Sequence, residues 1–395
     1  MNKPAHPAAA APPGNPPSAI HAGEVTGRVP GQGINVEQLE EKARRRLAPD
    51  AYGYVAGGAG AEEARRANRE AFRRWLIVPR PPRHPAARDL AVGVLGTRMA
   101  APVLLAPIGV QSIVHPDAEL AVARAAASVG IPLVAATAAS LPLEAVATAM
   151  GAAPRWFQLY WPGDRELAKS FLARAGRAGY GAIVVTLDAW QPGGRPGDLR
   201  RSCLPFLRGE GLGNYFADPV FRAALARPPE EDPRAAAEHF RKVISDATVT
   251  WDDLSFLRQH TSLPLLLKGI LRPDDAAEAV GLGMDGIIVS NHGGRQVDGA
   301  SGALDALPGV VAAVDGRLPV LFDSGIRHGA DAFKALALGA RAVLLGRPYL
   351  WGLAVDGEEG VRRVLRGLLA ELDLTLALAG LTRPAQLSPD ALERI

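Results

Sequence analysis

A chain of 395 residues, 48% of them hydrophobic, can bury a large core, and its Gly plus Pro content stays below the roughly 25–30% that marks low-complexity sequence. Lys and Arg exceed Asp and Glu by only three charges, scattered along the chain, which argues against a nucleic-acid-binding stripe. The single cysteine, Cys203, makes no intrachain disulfide and joins no Cys/His cluster, so neither a disulfide scaffold nor a structural zinc is expected, and a reducing, cytoplasmic setting fits.

Residues 1–33, rich in Pro and Ala without a continuous apolar run, read as a disordered arm rather than a signal peptide. Residues 34–395 read as one domain. Helical periodicity around Val36–Leu47 and Glu62–Phe72, with a Gly-rich bend at Tyr52–Gly60 between them, is expected to form a cap over the rest of the domain. The most apolar stretch, Met99–Val110, is broken by Pro102 and Pro107 and is too short for a bilayer of about 30 Å, so no membrane partner is expected. From Val103 onward, apolar and β-branched runs alternate with Ala-rich helical ones. Strands are predicted at 103–109, 131–137, 155–160, 182–187, 264–269, 286–291, 319–324 and 342–346. Helices at 117–129, 164–178, 274–281, 330–338 and 358–379 fall between or after them. This eightfold alternation is the sequence form of an α/β protein, a (β/α)8 or TIM barrel. The connection 189–263 far exceeds the usual βα length of about 2–6 residues and reads as a lid, rich in Pro, Gly and Arg at its start and helical at PRAAAEHFRKVI and WDDLSFLRQH.

Chemistry in such a barrel sits at the C-terminal strand ends, and here nearly every end is polar or glycine. In order they carry Gly109, Thr137, Gln158 with Tyr160, Thr186 with Asp188, Lys268, Ser290-Asn291-His292, Asp323-Ser324-Gly325 and Gly346-Arg347. The last two ends supply glycines for close backbone approach and two arginines, Arg327 and Arg347; either arginine alone would read as a solvated charge, but together they point to a phosphorylated ligand. Lys268 either snorkels out of its apolar strand or, beside an electron-accepting ring, stabilises the charge that develops on reduction. His292 is a structural residue or a base; the flanking glycines and Arg295 favour the base, with Asp188 available to orient it.

Taken together, these residues resemble the FMN-dependent α-hydroxy acid oxidising family over about residues 36–390. The most specific run is Ser290-Asn291-His292-Gly293-Gly294-Arg295-Gln296. It is supported by Tyr54 in YGYVAGG, Ala106-Pro107-Ile108-Gly109, Phe157-Gln158-Leu159-Tyr160, Thr186-Leu187-Asp188, Arg195, Lys268, Asp323–Arg327 and Gly346-Arg347-Pro348. The resemblance implies FMN as cofactor, no metal, and oxidation of a small L-2-hydroxy acid, foremost L-lactate, by O2 in a homo-oligomer, tetramer or octamer. It implies that His292 takes the hydroxyl proton, that Asp188 pairs with the imidazolium, that Tyr54 and Tyr160 hydrogen-bond the substrate, and that Arg195 and Arg295 clamp its carboxylate. On the cofactor side, Lys268 is implied beside flavin N1 and the C2 carbonyl, Gln158 and Thr186 on the ring, and Arg327, Gly346 and Arg347 on the phosphate. Ala106, Pro107, Ile108, Gly109, Thr137, Ser290, Asp323, Ser324 and Gly325 complete the implied cofactor shell. Hydride and carbanion routes both remain open.

Within the family, Arg195–Ser202 followed by Pro205–Gly209 is most similar to the lactate 2-monooxygenase branch, which implies acetate and CO2 as products. Gly109 stands where many oxidases carry Ala near flavin N5, and the missing methyl suggests more room for product and peroxide together. Ala136 stands where relatives keep Ser, so one hydrogen bond to the flavin is lost or supplied by Thr137. The alternatives are an oxidase that releases pyruvate and H2O2, and a dehydrogenase that reduces quinone or cytochrome. The latter finds no haem-domain signature in the N-terminal arm and no apolar insertion run in the long loop. A flavin-free barrel binding a phosphate ligand would leave His292, Arg295, Arg195 and Lys268 without a shared purpose.

Overall fold

The computed structural model describes residues 35–81, 88–190, 193–194, 205–244 and 250–395; the expected N-terminal arm lies outside them. Eight parallel strands close a barrel: β1 (Val103–Leu105), β2 (Leu133–Ala135), β3 (Arg155–Tyr160), β4 (Ile183–Thr186), β5 (Leu265–Ile270), β6 (Gly286–Val289), β7 (Val320–Phe322) and β8 (Ala342–Leu345). Each falls within one residue of a predicted run, and β8 pairs back onto β1 through Leu344 and Leu104. The period-two alternation of the strands sorts their side chains into two layers. Leu104, Val134, Trp156, Val184, Leu266 and Ile288 fill the barrel, while their neighbours pack outward against the helices. Trp156 is fully buried there, and its indole N–H donates to Thr97 Oγ1 at 2.9 Å. Thr97 belongs to a hairpin, Val92–Val94 with Thr97–Met99, whose Val94 and Met99 join the interior layer.

Helices Val36–Arg46, Pro49–Ala56 and Glu63–Arg73 precede the barrel. The second of these corrects the expected bend at Tyr52–Gly60, since its first half is helical. Pro49 in the first turn and Asp50 beside it favour a helix start, and Gly53 is buried. The last helix, Arg347–Leu378, runs through a kink at Asp356–Gly357, where Gly357 takes φ +52°. Sequence periodicity locates only the part after the kink. The fold at this point brings Gly352 against Gly360 so closely that a Cβ on Gly352 would lie 2.6 Å from the Gly360 carbonyl oxygen.

Part of the long connection after β4 forms helices Gly213–Phe216, Pro219–Ala223 and Pro233–Val243, and Leu254–His260 packs beside Arg165–Arg177 as an outer barrel helix. Aromatic edges bind this connection to the barrel: the Tyr215 ring meets Phe171 at 5.1 Å and Phe240 at 4.8 Å, both nearly perpendicular. Arg174, 4% exposed, adds a buried network, donating to Asp218 at 3.0 Å, Asn214 O at 2.8 Å and Glu144 at 2.8 Å.

The two ends of the described chain also meet. Helix Val36–Arg46 packs on the last helix, Glu37 faces His328 at 3.5 Å, and strand Trp75–Ile77 pairs antiparallel with Leu392–Arg394. No helix among the described residues is long and apolar enough to cross a membrane.

Candidate active site

A cavity of about 230 Å³ opens at the C-terminal ends of the strands. At its edge His292 Nδ1 lies 2.8 Å from Asp188 Oδ1, joining residues just past β6 and β4 across the intervening β5. Gly269 on β5 makes this possible: it takes φ +108°, and a Cβ there would come within 2.6 Å of Asp188 Cβ. His292 itself adopts φ +57°, a conformation uncommon outside glycine, and its backbone N–H donates to Ser290 Oγ at 3.0 Å. The preceding Asn291 exchanges amide hydrogen bonds with Asn68 at 2.8 Å in both directions. Gly294 then lets the loop rest on the start of helix Glu63–Arg73, where any Cβ would sit 2.5 Å from Arg65 N. The sequence motif around His292 is thus a packing solution that holds one imidazole in place.

Burial alone would raise the Asp188 carboxyl, but the His292 imidazole and the Lys268 ammonium outweigh it and hold it below the ordinary carboxylate range. An ionised Asp188 fixes the hydrogen on Nδ1 and leaves Nε2 as the ring nitrogen able to accept a proton. Lys268 does not snorkel: it is 3% exposed, and Nζ contacts Ser290 Oγ at 2.9 Å and Asp323 Oδ2 at 3.0 Å. Burial would drain its charge, yet the Asp323 and Asp188 carboxylates push its pKa above the ordinary lysine value.

The helix Pro49–Ala56 presents its C-terminal carbonyls to three guanidinium groups, of which Arg65 donates to Ala56 O at 2.7 Å. Arg295 donates to Tyr54 O at 2.7 Å and Gly57 O at 2.9 Å and lies over the Tyr54 ring at 5.2 Å. Arg347 donates to Val55 O, Gly57 O and Gly293 O at 3.0, 2.9 and 3.0 Å. The negative end of a helix suits cations there. Even so, burial followed by repulsion from Arg295, Arg327 and Arg65 presses the Arg347 pKa well below its ordinary value. Arg327 is pressed to about 10 by burial and then by Arg69. Guanidinium groups keep their protons at neutral pH, so this crowding marks a demand for an anion. Gly346 supplies the space: it caps the last helix, and a Cβ on it would meet nothing nearer than 3.9 Å.

Two buried atoms test whether the residues fit the expected FMN. Gln158 Nε2 and Thr186 Oγ1, at adjacent strand ends, are buried with no partner, which is costly unless a polar ligand meets them. Together with the anion-demanding arginines they fit a polar ring carrying a phosphate. Thr137 behaves otherwise. Its hydroxyl donates to Gln158 O at 2.6 Å and accepts from Tyr160 N at 3.0 Å, so it has no hydrogen left to replace the serine missing at Ala136.

Most residues singled out in the sequence meet around this cavity. Tyr54, Tyr160, Lys268, His292 and Arg295 line one part of it, and Ala106, Pro107, Ile108 and Gly109 form a wall. Asp323, Ser324, Gly325, Arg327, Gly346 and Arg347 line the remainder, while Ser290, Gln158, Thr186 and Thr137 lie buried behind it. Arg195 lies outside the described residues. Gly109 has a reason other than spare room: a Cβ on it would lie 2.3 Å from Ala138 O, which already accepts from Val110 N at 2.9 Å. Gly109→Ala is therefore expected to destabilise the holoenzyme by about 1–3 kcal/mol, as overpacking does. A drop in the urea midpoint checks this, and an unchanged midpoint would refute it.

Other contributors carry no sequence signal of their own. Asn68 lies in an ordinary polar helix, and the carbonyls of Val55 and Gly57 are backbone. Gln296 is visible in the sequence only as the end of the motif; its side chain donates to Asp188 O at 2.7 Å and accepts from Gly193 N at 3.2 Å, tying the histidine loop to the start of the long connection. Ala138, Phe206 and Ile244 supply an apolar part of the lining.

Known proteins are similar to this chain over most of its length. The family model for FMN-dependent dehydrogenases matches residues 43–394. An FMN-dependent alpha-hydroxy acid dehydrogenase of Penicillium citrinum is 44% identical over 378 residues, covering 95% of this chain and 94% of the relative. An L-lactate oxidase of Lysinibacillus sphaericus is 43% identical over 344 residues, covering 87% and 88%. The crystal structure of a mandelate oxidase superposes with a TM-score of 0.78 at 39% identity, covering 91% of this chain and 98% of that one.

Proposed function

The chain belongs to the family of FMN-dependent dehydrogenases that oxidise 2-hydroxy acids, and we propose that it oxidises L-lactate with His292 as the base and retains the 2-keto product long enough for decarboxylation. The observation that carries the reading is the 2.8 Å His292–Asp188 pair at the edge of a cavity flanked by Arg295, with anion-demanding arginines farther along it. Arg295 binds the substrate carboxylate, assisted by Arg195. Tyr54 and Tyr160 orient the hydroxyl and carboxylate oxygens. His292 Nε2 takes the hydroxyl proton, and ionised Asp188 stabilises the imidazolium that results. FMN, when bound, accepts the two electrons released from the substrate Cα–H. Gln158 and Thr186 hold its ring, Lys268 offers positive charge to it, and Arg327 and Arg347 hold its phosphate.

Retention is supported by the long connection after β4, from which Phe206 and Ile244 reach the cavity. With O2 as the final oxidant, the two electrons and two protons leave as H2O2; a closed site lets that H2O2 attack the keto carbonyl of pyruvate, giving acetate, CO2 and water, and an open one releases pyruvate and H2O2. Gly109 lends this reading no support, because the Ala138 carbonyl occupies the space its methyl would fill. A purified holoenzyme given L-lactate in air with catalase present should yield more acetate than pyruvate. Predominant pyruvate would make it an oxidase. A second substrate reading follows from the likeness to a mandelate oxidase, whose substrate carries a group larger than methyl. Mandelate reducing the flavin faster than L-lactate under anaerobic conditions would favour that reading.

A further inference from the structure

Behind the wall that the loops after β1 and β2 present to the cavity lies a polar cluster that neither proton transfer nor cofactor binding uses. Glu119, in the first turn of helix Ala118–Val129, is 2% exposed. Its Oε1 accepts from Ser140 N at 2.9 Å and Gln111 N at 3.4 Å, while Oε2 is buried with no partner. Gln111 is equally buried: its Nε2 donates to Ile108 O at 2.9 Å and reaches the Tyr349 hydroxyl at 3.5 Å, and its Oε1 is also without a partner. The Tyr349 hydroxyl in turn donates to Ala106 O at 3.0 Å. One carboxyl thus joins the loop after β1 to the loop after β2, and Gln111 and Tyr349 carry the joint to the first turn of the last helix. Ala106, Ile108, Gly109, Ala136 and Ala138, on the two loops held in this way, line the cavity.

The cluster is short of one hydrogen. As a carboxylate, Glu119 would keep Oε2 as an unpaired buried acceptor in a cluster whose Gln111 oxygen also only accepts, and no Lys, Arg or His among the described residues pairs with it. A buried charge without a counter-ion is strongly unfavourable, whereas the carboxylic acid supplies the missing donor. Burial pushes the Glu119 carboxyl upward, against the backbone hydrogen bonds it accepts and the Ser140 hydroxyl. We propose that Glu119 keeps its proton at neutral pH and, as a neutral carboxylic acid, is the positioning residue that sets the Ala106–Gly109 and Ala136–Ala138 wall of the cavity. The role of that wall rests on the reading of the cavity as the FMN site.

Infrared difference spectroscopy of native enzyme against Glu119→Gln at neutral pH tests the proton without reference to FMN. A protonated-carboxyl C=O stretch, shifted in deuterated water and lost in the variant, is expected; its absence overturns the proposal. The amide of Glu119→Gln keeps an acceptor for Ser140 N and, like the acid, offers a donor at the other position, so its FMN affinity and rate of flavin reduction should stay within about twofold of native. Glu119→Leu leaves two backbone N–H groups unpaired and should weaken FMN binding by about tenfold or more. A leucine variant that holds FMN as tightly as native, or a glutamine variant as impaired as the leucine one, overturns the positioning role. A native chain that takes up no FMN would instead defeat the cofactor reading, and the infrared band would still decide the state of Glu119.

Discussion

Replacing His292 with Gln is expected to leave the fold and the bound flavin intact while slowing anaerobic flavin reduction by the hydroxy acid about 10²–10⁴-fold, the usual contribution of a general base. The glutamine amide can still donate to Asp188, so the carboxylate is not stranded, and the loop keeps its Asn291–Asn68 and Gly294–Arg65 supports. What disappears is the atom that accepts the hydroxyl proton. Stopped-flow bleaching at saturating substrate is the measurement. A variant that bleaches at the native rate would remove His292 from the reaction and leave the pair with Asp188 as a structural contact.

The second large effect is expected at Arg347. Its truncation to Ala removes the charge-assisted contact proposed to the cofactor phosphate, which should weaken FMN binding by about 10- to 100-fold. It also removes a donor from the carbonyls of Val55, Gly57 and Gly293, so helix Pro49–Ala56 loses one of its three guanidinium anchors. Flavin fluorescence in the filtrate after dilution separates the variant from native protein. Full retention of FMN would place the phosphate elsewhere and leave Arg347 as a tie between the first helices and the last.

The barrel is legible because eight short apolar runs, nearly all ending in a polar residue or glycine, have no other economical arrangement in a chain of this length. The site follows from the same ends: Lys268, His292 and Arg347 can be placed at one rim from their positions in the chain alone. The contacts themselves cannot be read in this way. Gly109 looks like room for a reactant, yet its methyl would strike a carbonyl from the next loop, a collision between segments that periodicity does not register. Thr137 looks available to the flavin, yet its hydroxyl is consumed by Gln158 O and Tyr160 N across the β2–β3 boundary. The Tyr52–Gly60 segment looks like a bend because glycines disfavour helix. Tertiary packing overrides that preference in its first half, and the end of this short helix then supplies carbonyls to three arginines.

Because the first helices lie over the last strand ends, the order of synthesis runs against the order in which the pocket can be completed. At roughly 5–20 residues per second, a ribosome needs about 20–80 s to make this chain. Helix Pro49–Ala56 leaves the tunnel early, yet two of the arginines it anchors are Arg295 and Arg347, and the helix on which Val36–Arg46 packs ends only at Leu378. The segment that brings Arg347 and the last helix to the early helices is thus made long after Gln158 and Thr186, and the cradle proposed for the phosphate is complete only once the C-terminal part of the chain has joined the barrel.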